Sequence, residues 1–279
     1  MESSPLIRAL RRQAREVDRL RFEPPVRFVY NPLIYAREPL ERYFTRCATG
    51  RKDVVFLGMN PGPWGMAQTG IPFGEVAAVR DWLGIEGRVS APAVVHPRVP
   101  VQGFDCPRSE VSGRRLWGLM RERFGDAREM ARHVFVANYC PLLFLDDAGR
   151  NITPDKLAKA DRAALFPICD RFLAMLLETL RPRWAVGVGS FARQRLEAVA
   201  PALGIEVASI PHPSPANPAA NRGWARQARA ALSRGEIWSA ARRPAVNARR
   251  GDPTARTSAP PSRRDRAGAG IRRGASPRP

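Results

Sequence analysis

The chain has 279 residues, 44% of them hydrophobic, and a formal net charge of +20. This length and apolar content fit one sizeable folded domain with extensions, and they exclude a wholly disordered chain. The basic balance favours a polyanionic partner, with nucleic acid before an anionic membrane surface. We expect part of the charge to be a solvated tail, because residues 240–279 hold eleven Arg and two Asp.

Apolar periodicity predicts alternating helices and strands along the chain. Residues 4–20 predict an amphipathic, arginine-rich helix that is loosely attached, and residues 22–35 predict an extended segment. Short apolar runs predict four strands, at 53–58, 133–138, 184–189 and 206–210. Apolar residues at helical spacing predict further helices, at 37–47, 75–83, 110–124, 153 to about 180, 190 to about 200, and 222–234. From Ala240 onward there is no apolar period, so we expect a disordered tail.

Residues that favour the start of a helix occur in three places. Ser109 and Ser190 are the expected N-caps of two helices, and Pro154 suits the first turn of a third. Strands that alternate with helices imply an α/β fold with a mostly parallel sheet covered on both faces.

The cysteine pattern limits the chemistry. Cys47, Cys106, Cys140 and Cys169 form no CxxC pair, which argues against a structural zinc or an iron–sulfur cluster. We therefore expect a reduced, intracellular protein without a metal or another cofactor. Residues 1–20 are arginine-rich without an apolar core, unlike a signal peptide, and no apolar run is long enough to span a bilayer.

The loop at residues 58–66, which reads GMNPGPWGM, follows the first predicted strand. Its glycines allow the backbone to approach a ligand closely, because no Cβ intervenes. It is not a phosphate loop, since the pattern GxxxxGK[ST] is absent and no Lys or Arg lies between Met59 and Glu75. Asn60 is the polar group that the loop offers, although a tight turn with Asn60 bonded to its own backbone explains the pattern equally well.

Two further strand ends carry polar residues, Asn138 and His212. Because open α/β sheets bind ligands at the carboxyl ends of their strands, we expect Asn60, Asn138 and His212 at one edge of the sheet. Each has an ordinary alternative, since Asn138 could cap a loop and a lone histidine is more often packed and hydrogen-bonded. We assign His96 and His133 to that ordinary class.

Longer motifs around these residues resemble a known family. Residues 58–63 and 66–75 resemble the first motif of the single-strand-selective monofunctional uracil-DNA glycosylases, and residues 212–221 resemble their second motif. The segments 28–32, 111–113, 135–144 and 168–170 also resemble this family. The likeness covers about residues 25–233. It implies the uracil-DNA glycosylase fold, a three-layer α/β/α arrangement around a short central parallel sheet. It also implies three parts: an N-terminal helical extension at 1–24, a catalytic domain at 25–236, and an Arg/Pro-rich disordered tail at 237–279.

The resemblance implies an enzyme that flips uracil out of DNA and hydrolyses its N-glycosidic bond, leaving an abasic site. His212 would donate a hydrogen bond to O2 of the leaving base, as an oxyanion hole does. Asn60 would position the attacking water. Asn138 would read N3–H and O4 of the base, and Phe73 would stack on the flipped ring.

The remaining site residues follow from the same resemblance. Met59 and Gly62 would form the wall near the C5 edge of the base, where the family admits C5-modified uracils such as 5-hydroxymethyluracil, and Met66 joins them in binding substrate. Five loop residues would contact DNA, namely Pro213, Ser214, Pro215, Ala216 and Asn217. Ala216 departs from the family pattern, which has a wedging arginine at this position.

The expected partners are uracil-containing single- and double-stranded DNA, with no membrane, for a monomer that is DNA-associated in the cell, in a bacterial cytoplasm rather than a nucleus. Lys52, Lys156 and Lys159 are the only lysines and lie outside the motifs, which agrees with the absence of lyase activity. Two alternatives stay open: a non-enzymatic single-strand binder, and a hydrolase of another N-glycosidic bond such as that of a nucleoside.

Overall fold

Strands and helices alternate through residues 4–218 and 220–240, the part of the chain that the computed structural model describes. The strands are β1 (Phe28–Tyr30), β2 (Val54–Gly58), β3 (Val134–Asn138), β4 (Leu143–Leu145), β5 (Asn151–Ile152), β6 (Trp184–Val188) and β7 (Glu206–Ile210). The α-helices are α1 (Pro5–Asp18), α2 (Pro32–Tyr35), α3 (Arg37–Cys47), α4 (Met66–Thr69), α5 (Val111–Phe124), α6 (Ala127–His133), α7 (Lys159–Leu180), α8 (Ser190–Val199), α9 (Trp224–Arg234) and α10 (Ile237–Ala240).

The main sheet has four parallel strands in the order β3-β2-β6-β7. Its central strand β2 is buried along its whole length, because helices cover both faces of a parallel sheet of this kind. The three-layer α/β/α arrangement and the four strands read from the sequence are therefore confirmed.

A second, antiparallel sheet in the order β1-β4-β5 was not predicted. Phe28 of β1 pairs with Leu145 of β4, and Phe144 of β4 pairs with Ile152 of β5. Strands of two or three residues are too short to show a period in the sequence, so residues 22–35 read only as an extended segment.

Helix α1 lies near its predicted bounds, but the expectation that it is loosely attached was wrong. Leu6, Leu10 and Val17 are buried in the main core, where the helix packs along α7. The ion pair Glu16–Arg171 joins α1 to α7, and Arg11–Glu41 joins it to α3. The apolar stripe of α1 is thus part of the core of the protein.

The core also continues past residue 236, where the sequence placed the start of the tail. Ile237 and Trp238 are buried, and the Trp238 ring lies 6.0 Å from that of Phe56 and 5.9 Å from that of Phe124. The Arg123 guanidinium donates to the carbonyl of Trp238 at 2.7 Å. Ala240, where the predicted disorder begins, is the last residue of α10, and residues 241–279 lie outside the described residues.

Four local predictions differ from the structure. The N-cap of α5 is Glu110 rather than Ser109, and Gly189 rather than Ser190 precedes α8. The helix predicted at 75–83 is largely a π-helix at Ala78–Leu83, and the long helix begins at Lys159 after a single 3-10 turn. Within the described residues, no helix has the length and apolar character that a membrane crossing requires.

Candidate active site

The carboxyl edge of the parallel sheet brings three predicted residues to one side of the fold. Strand β2 ends at Gly58, which is in register with Asn138 at the end of β3. Asn60 follows two residues after β2, and His212 follows two residues after β7. Because the strands are parallel, these side chains leave the same edge of the sheet.

Gly58 lies next to two of the candidate residues, Asn138 and Phe73. A Cβ built on Gly58 would lie 2.3 Å from Oδ1 of Asn138 and 2.5 Å from the ring of Phe73. The Phe73 ring centroid lies 6.5 Å from that of His212. Any larger residue at position 58 would therefore fill the space between the amide and the aromatic ring.

Phe73 is held in a strained backbone conformation. Its φ is +54°, in the left-handed region that non-glycine residues seldom adopt. The indole of Trp117 donates to its carbonyl at 3.0 Å, and Gly113 lies so close that a Cβ there would be 2.1 Å from the same oxygen. Such strain costs about 1–3 kcal/mol and persists where the surroundings fix it, commonly at functional sites.

Asn138 presents an unpaired acceptor. Its Nδ2 lies 3.3 Å from the sulfur of Met66, while its Oδ1 is buried and has no hydrogen-bond partner among the described residues. An unpaired buried carbonyl oxygen costs about 1–3 kcal/mol. A ligand that brings an N–H group to this oxygen removes that cost.

The contacts of His212 define which of its nitrogens carries the proton. The backbone N–H of Ser214 donates to Nδ1 at 3.1 Å, so Nδ1 is the acceptor and a neutral ring carries its hydrogen on Nε2. Burial lowers the pKa of His212, which favours the neutral ring at neutral pH. His212 can therefore donate one hydrogen bond from Nε2 without carrying a charge.

A set of side-chain bonds fixes the loop that carries His212. Arg115 of α5 donates to the carbonyl of Pro213 at 2.7 Å and to Oδ1 of Asn221 at 3.1 Å. Asn221 in turn donates to the carbonyl of Pro215 at 2.8 Å, and Asn217 donates to that of His212 at 3.1 Å. The loop is thus tied to α5 by Arg115, which the sequence did not single out.

The five residues expected to contact DNA differ in their placement. Pro215 and Ala216 are exposed at the tip of the loop, and Ser214 and Asn217 are partly buried. Pro213 is buried, so the expectation that it meets DNA directly is not supported, and its carbonyl instead accepts from Arg115.

Asn60 is partly buried beside the smaller sheet. Its Nδ2 donates to the carbonyl of Leu142 at 3.3 Å and to Oδ1 of Asn151 at 3.4 Å. The Nδ2 of Asn151 in turn donates to the carbonyl of Pro61 at 3.4 Å. These contacts orient the amide so that Oδ1 can accept from a ligand or a water molecule. No sequence pattern distinguishes Asn151, an exposed residue of a two-residue strand.

The three residues predicted to line the base pocket belong to the loop at residues 58–66. Met66 is buried against Asn138, while Met59 and Gly62 are partly buried. Behind the loop lies Glu110, whose Oε2 would be 2.0 Å from a Cβ on Gly62 and 2.4 Å from one on Gly65. A side chain at either position would have to displace the carboxyl group of Glu110.

Glu110 is a buried carboxyl group that the sequence reading missed. Its Oε2 is buried without a hydrogen-bond partner among the described residues. Burial, and next the nearby Glu75, raise the pKa of Glu110 to about 7, although the N–H of Gly65 acts in the opposite direction. At neutral pH, Glu110 is therefore protonated and uncharged in a large fraction of the molecules.

We found no cluster of three or more His, Cys, Asp or Glu side chains suited to a metal ion in the described part of the chain. The polar groups at the carboxyl edge are instead amides, one imidazole and one carboxyl.

Comparisons with known proteins agree on the family. A family model for the uracil DNA glycosylase superfamily matches residues 44–233. The single-strand selective monofunctional uracil-DNA glycosylase of Rattus norvegicus is 50% identical over 219 residues, which cover 78% of this chain and 79% of that protein. The enzyme of the same name from Bos taurus is 49% identical over 220 residues, 78% of this chain and 81% of its own.

A crystal structure of wild-type SMUG2 from Pedobacter heparinus has the same fold, with a TM-score of 0.62 and 17% identity over 84% of this chain and 98% of that one. The match to the family model, at residues 44–233, includes both proline-rich loops of the carboxyl edge. This chain therefore belongs to the uracil-DNA glycosylase superfamily and, within it, to the single-strand-selective monofunctional uracil-DNA glycosylases.

Proposed function

We propose that this protein excises uracil from DNA by hydrolysing the bond between uracil N1 and deoxyribose C1′. The observation that carries the proposal is the unpaired buried Oδ1 of Asn138, which lies beside the Phe73 ring at the same edge as His212. A flat base with an N–H group on its edge satisfies this acceptor and stacks on the ring. Family membership supports the same reaction.

Asn138 accounts for the choice of base. Its Oδ1 accepts from uracil N3–H and its Nδ2 donates to uracil O4, in place of the weak contact with Met66. Cytosine carries an acceptor at N3 and a donor at C4, so both groups would remain unpaired. A site that leaves buried polar groups unpaired rejects the wrong ligand strongly.

His212 stabilises the departing base. As the N1–C1′ bond breaks, its electron pair moves onto uracil, and negative charge develops on O2. The Nε2–H of a neutral His212 donates to O2, and the low dielectric of the partly buried site strengthens this bond. No proton needs to be transferred from the histidine.

Asn60 positions the water that attacks C1′. Its Oδ1 accepts from the water while Nδ2 is held by Leu142 and Asn151. The water oxygen bonds to C1′, one of its protons leaves to solvent, and the uracil anion is protonated after release. An amide is a weak base, so the rate depends mainly on stabilisation of the leaving group.

The lysines support hydrolysis without strand cleavage, because a lyase needs a free amine near the sugar. Lys52 is buried near the amino end of β2, and its amine donates to the carbonyls of Thr49 and Ala131. Lys156 and Lys159 are exposed at the start of α7. None of them belongs to the set of side chains at the carboxyl edge.

We extend the proposal to C5-modified uracils, for which Met59 and Gly62 would leave room, and to uracil in both single- and double-stranded DNA. We also propose that the protein acts as a DNA-associated monomer inside the cell, in a bacterial cytoplasm rather than a nucleus, and that its Arg/Pro-rich tail adds non-specific DNA affinity.

The test uses the full chain and oligonucleotides that differ at one position, with uracil, 5-hydroxymethyluracil, cytosine or thymine. Base release leaves an abasic site that alkali converts to a strand break. We expect release from the uracil and 5-hydroxymethyluracil strands alone and none from free deoxyuridine. In the variant His212→Ala we expect release to fall. His133→Ala is its matched control, because His133 lies at the opposite edge of the sheet. Binding without release from any strand would favour a non-enzymatic single-strand binder.

A further inference from the structure

A stripe of arginines runs along the outer face of α1. Arg12, Arg15 and Arg19 follow a helical spacing of three and four residues, so they share one face of the helix. All three are exposed, while the opposite face holds the buried residues of α1. We call these three residues the arginine stripe.

The arginine stripe is not neutralised within the described part of the chain. None of the three has a hydrogen-bond or ion-pair partner there, in contrast to Arg11, which pairs with Glu41. The two acids of the helix face other partners, Glu16 bonding to Arg171 and Asp18 accepting from Asn31. The stripe is therefore a concentrated positive surface.

The helix that carries the stripe is rigidly placed. Its apolar face is buried in the main core, and Asn31 donates to the carbonyl of Ala14 at 3.0 Å. Just beyond the helix, the N–H of Glu23 donates to Asp161 at 3.1 Å. Ordering of this backbone has already occurred on folding, so a ligand of the stripe need order only side chains.

The C-terminal end of the stripe leads toward the candidate active site. A cleft of about 280 Å³ is lined by Val17 and Asp18 of α1, by Arg21 and Arg27, and by Leu142. The carbonyl of Leu142 also accepts from the amide of Asn60 at 3.3 Å. Leu142 therefore links the cleft at the end of α1 to the loop that carries Asn60.

We propose that the arginine stripe is a second DNA-contacting surface, which binds the phosphates of the strand that leaves the active site across this cleft. The proposal rests on the proposed function. The stripe extends about 10 Å along the helix axis, the rise of about three phosphates on one strand of B-form DNA. Guanidinium groups match phosphate oxygens in both charge and geometry.

The test compares three full-length proteins: the wild type, the triple variant Arg12→Gln, Arg15→Gln, Arg19→Gln, and the control Arg42→Gln, Arg80→Gln, Arg132→Gln. The control loses the same charge from exposed arginines that already pair with acids. Glutamine keeps helix propensity close to that of arginine, and melting curves verify folding.

The DNA probe carries 2′-fluoro-2′-deoxyuridine, whose glycosidic bond resists cleavage because fluorine disfavours positive charge on the sugar. Strands of about 4 and about 16 nucleotides are titrated between about 50 and 200 mM salt. On the longer strand we expect the stripe variant to bind several-fold more weakly, with a salt slope lower by about 2. The shorter strand should show little difference, and the control variant should resemble the wild type on both.

Equal salt slopes for the stripe variant and the wild type on the longer strand would overturn the proposal, as would an equal loss in the control. Uracil release by the wild type is measured alongside. Absence of release would reject the proposed function, whereas normal release with unchanged salt slopes would reject only the stripe.

Discussion

Replacing Arg115 by methionine is expected to slow base release far more than it weakens DNA binding. Arg115 touches none of the proposed reacting groups, but it donates at 2.7 Å to the carbonyl of Pro213, the residue after His212, and at 3.1 Å to Asn221. It is therefore a positioning residue for the imidazole. Methionine keeps the aliphatic part of the side chain and removes both bonds.

The magnitude follows from these two bonds. A hydrogen bond from a charged donor contributes about 1.5–3 kcal/mol, and the partial exposure of Arg115 lets water compensate for part of that loss. Release of the loop by a fraction of an ångström to 1 Å moves the Nε2–H away from O2, and such a misplacement can cost about 100-fold. We expect single-turnover base release to fall by about 10- to 100-fold.

The measurement pairs single-turnover rates on a single-stranded uracil oligonucleotide with the affinity for the non-cleavable analogue. Arg114→Met is the matched control. Arg114 is the residue before Arg115, its side chain is exposed, and its guanidinium donates to Ser109 alone, at 3.4 Å. In Arg115→Ala, added guanidinium ion should restore part of the rate. A rate for Arg115→Met within twofold of the wild type, or equal losses of rate and affinity, would refute a positioning role.

Three further outcomes are expected. Asn60→Ala and His212→Ala should each lower single-turnover base release by about 100- to 1000-fold with nearly unchanged DNA affinity, because His212 is the donor to the developing charge and Asn60 holds the attacking water in place; near-normal rates in both would contradict the assigned roles. Ala216→Arg should raise the rate on U·A duplexes, where base extraction costs most, and change it little on single strands, as parallel rate measurements on both substrates would show. Because burial raises the pKa of Glu110 from 4.5 to about 7, the free energy of unfolding should fall by about 3 kcal/mol as pH rises from 4.5 to 7. Glu110→Gln should remove this fall when the free energy of unfolding is measured in urea at several pH values. The same fall in the variant and the wild type would show that Glu110 is not its cause.

Long, periodic elements could be predicted from the sequence because their local pattern and their burial agree. Helix α3 and strand β7 lie at their predicted bounds, and β2 differs by one residue at its start. The strands at Phe28, Leu143 and Asn151 could not be predicted, since their pairing depends on distant chain segments. The prediction that α1 is loosely attached gave more weight to its arginines than to its apolar stripe, and that stripe packs against distant parts of the chain, mainly α7.

The residues of the candidate site could be predicted where they lie at a strand end, as Asn138 does, or just after one, as His212 does. The groups that hold those residues in place could not be found in this way. Arg115 and Trp117 lie inside an ordinary amphipathic helix, and Glu110 precedes it, so no pattern distinguishes them from surface and core residues. Their importance comes from loops far away in the sequence, which fold onto α5.

The burial of Trp238 has a practical consequence for shortened versions of this protein. Shortening the chain from the C-terminus should lower its stability sharply once Trp238 is lost, because this indole packs against Phe56 of β2 and against Phe124. Removing Trp238 would leave a cavity over the sheet and lower the free energy of unfolding by about 3–5 kcal/mol. A proteolytic product or fusion junction ending just after α10 would keep its thermal resistance, and one ending four residues earlier would lose it abruptly.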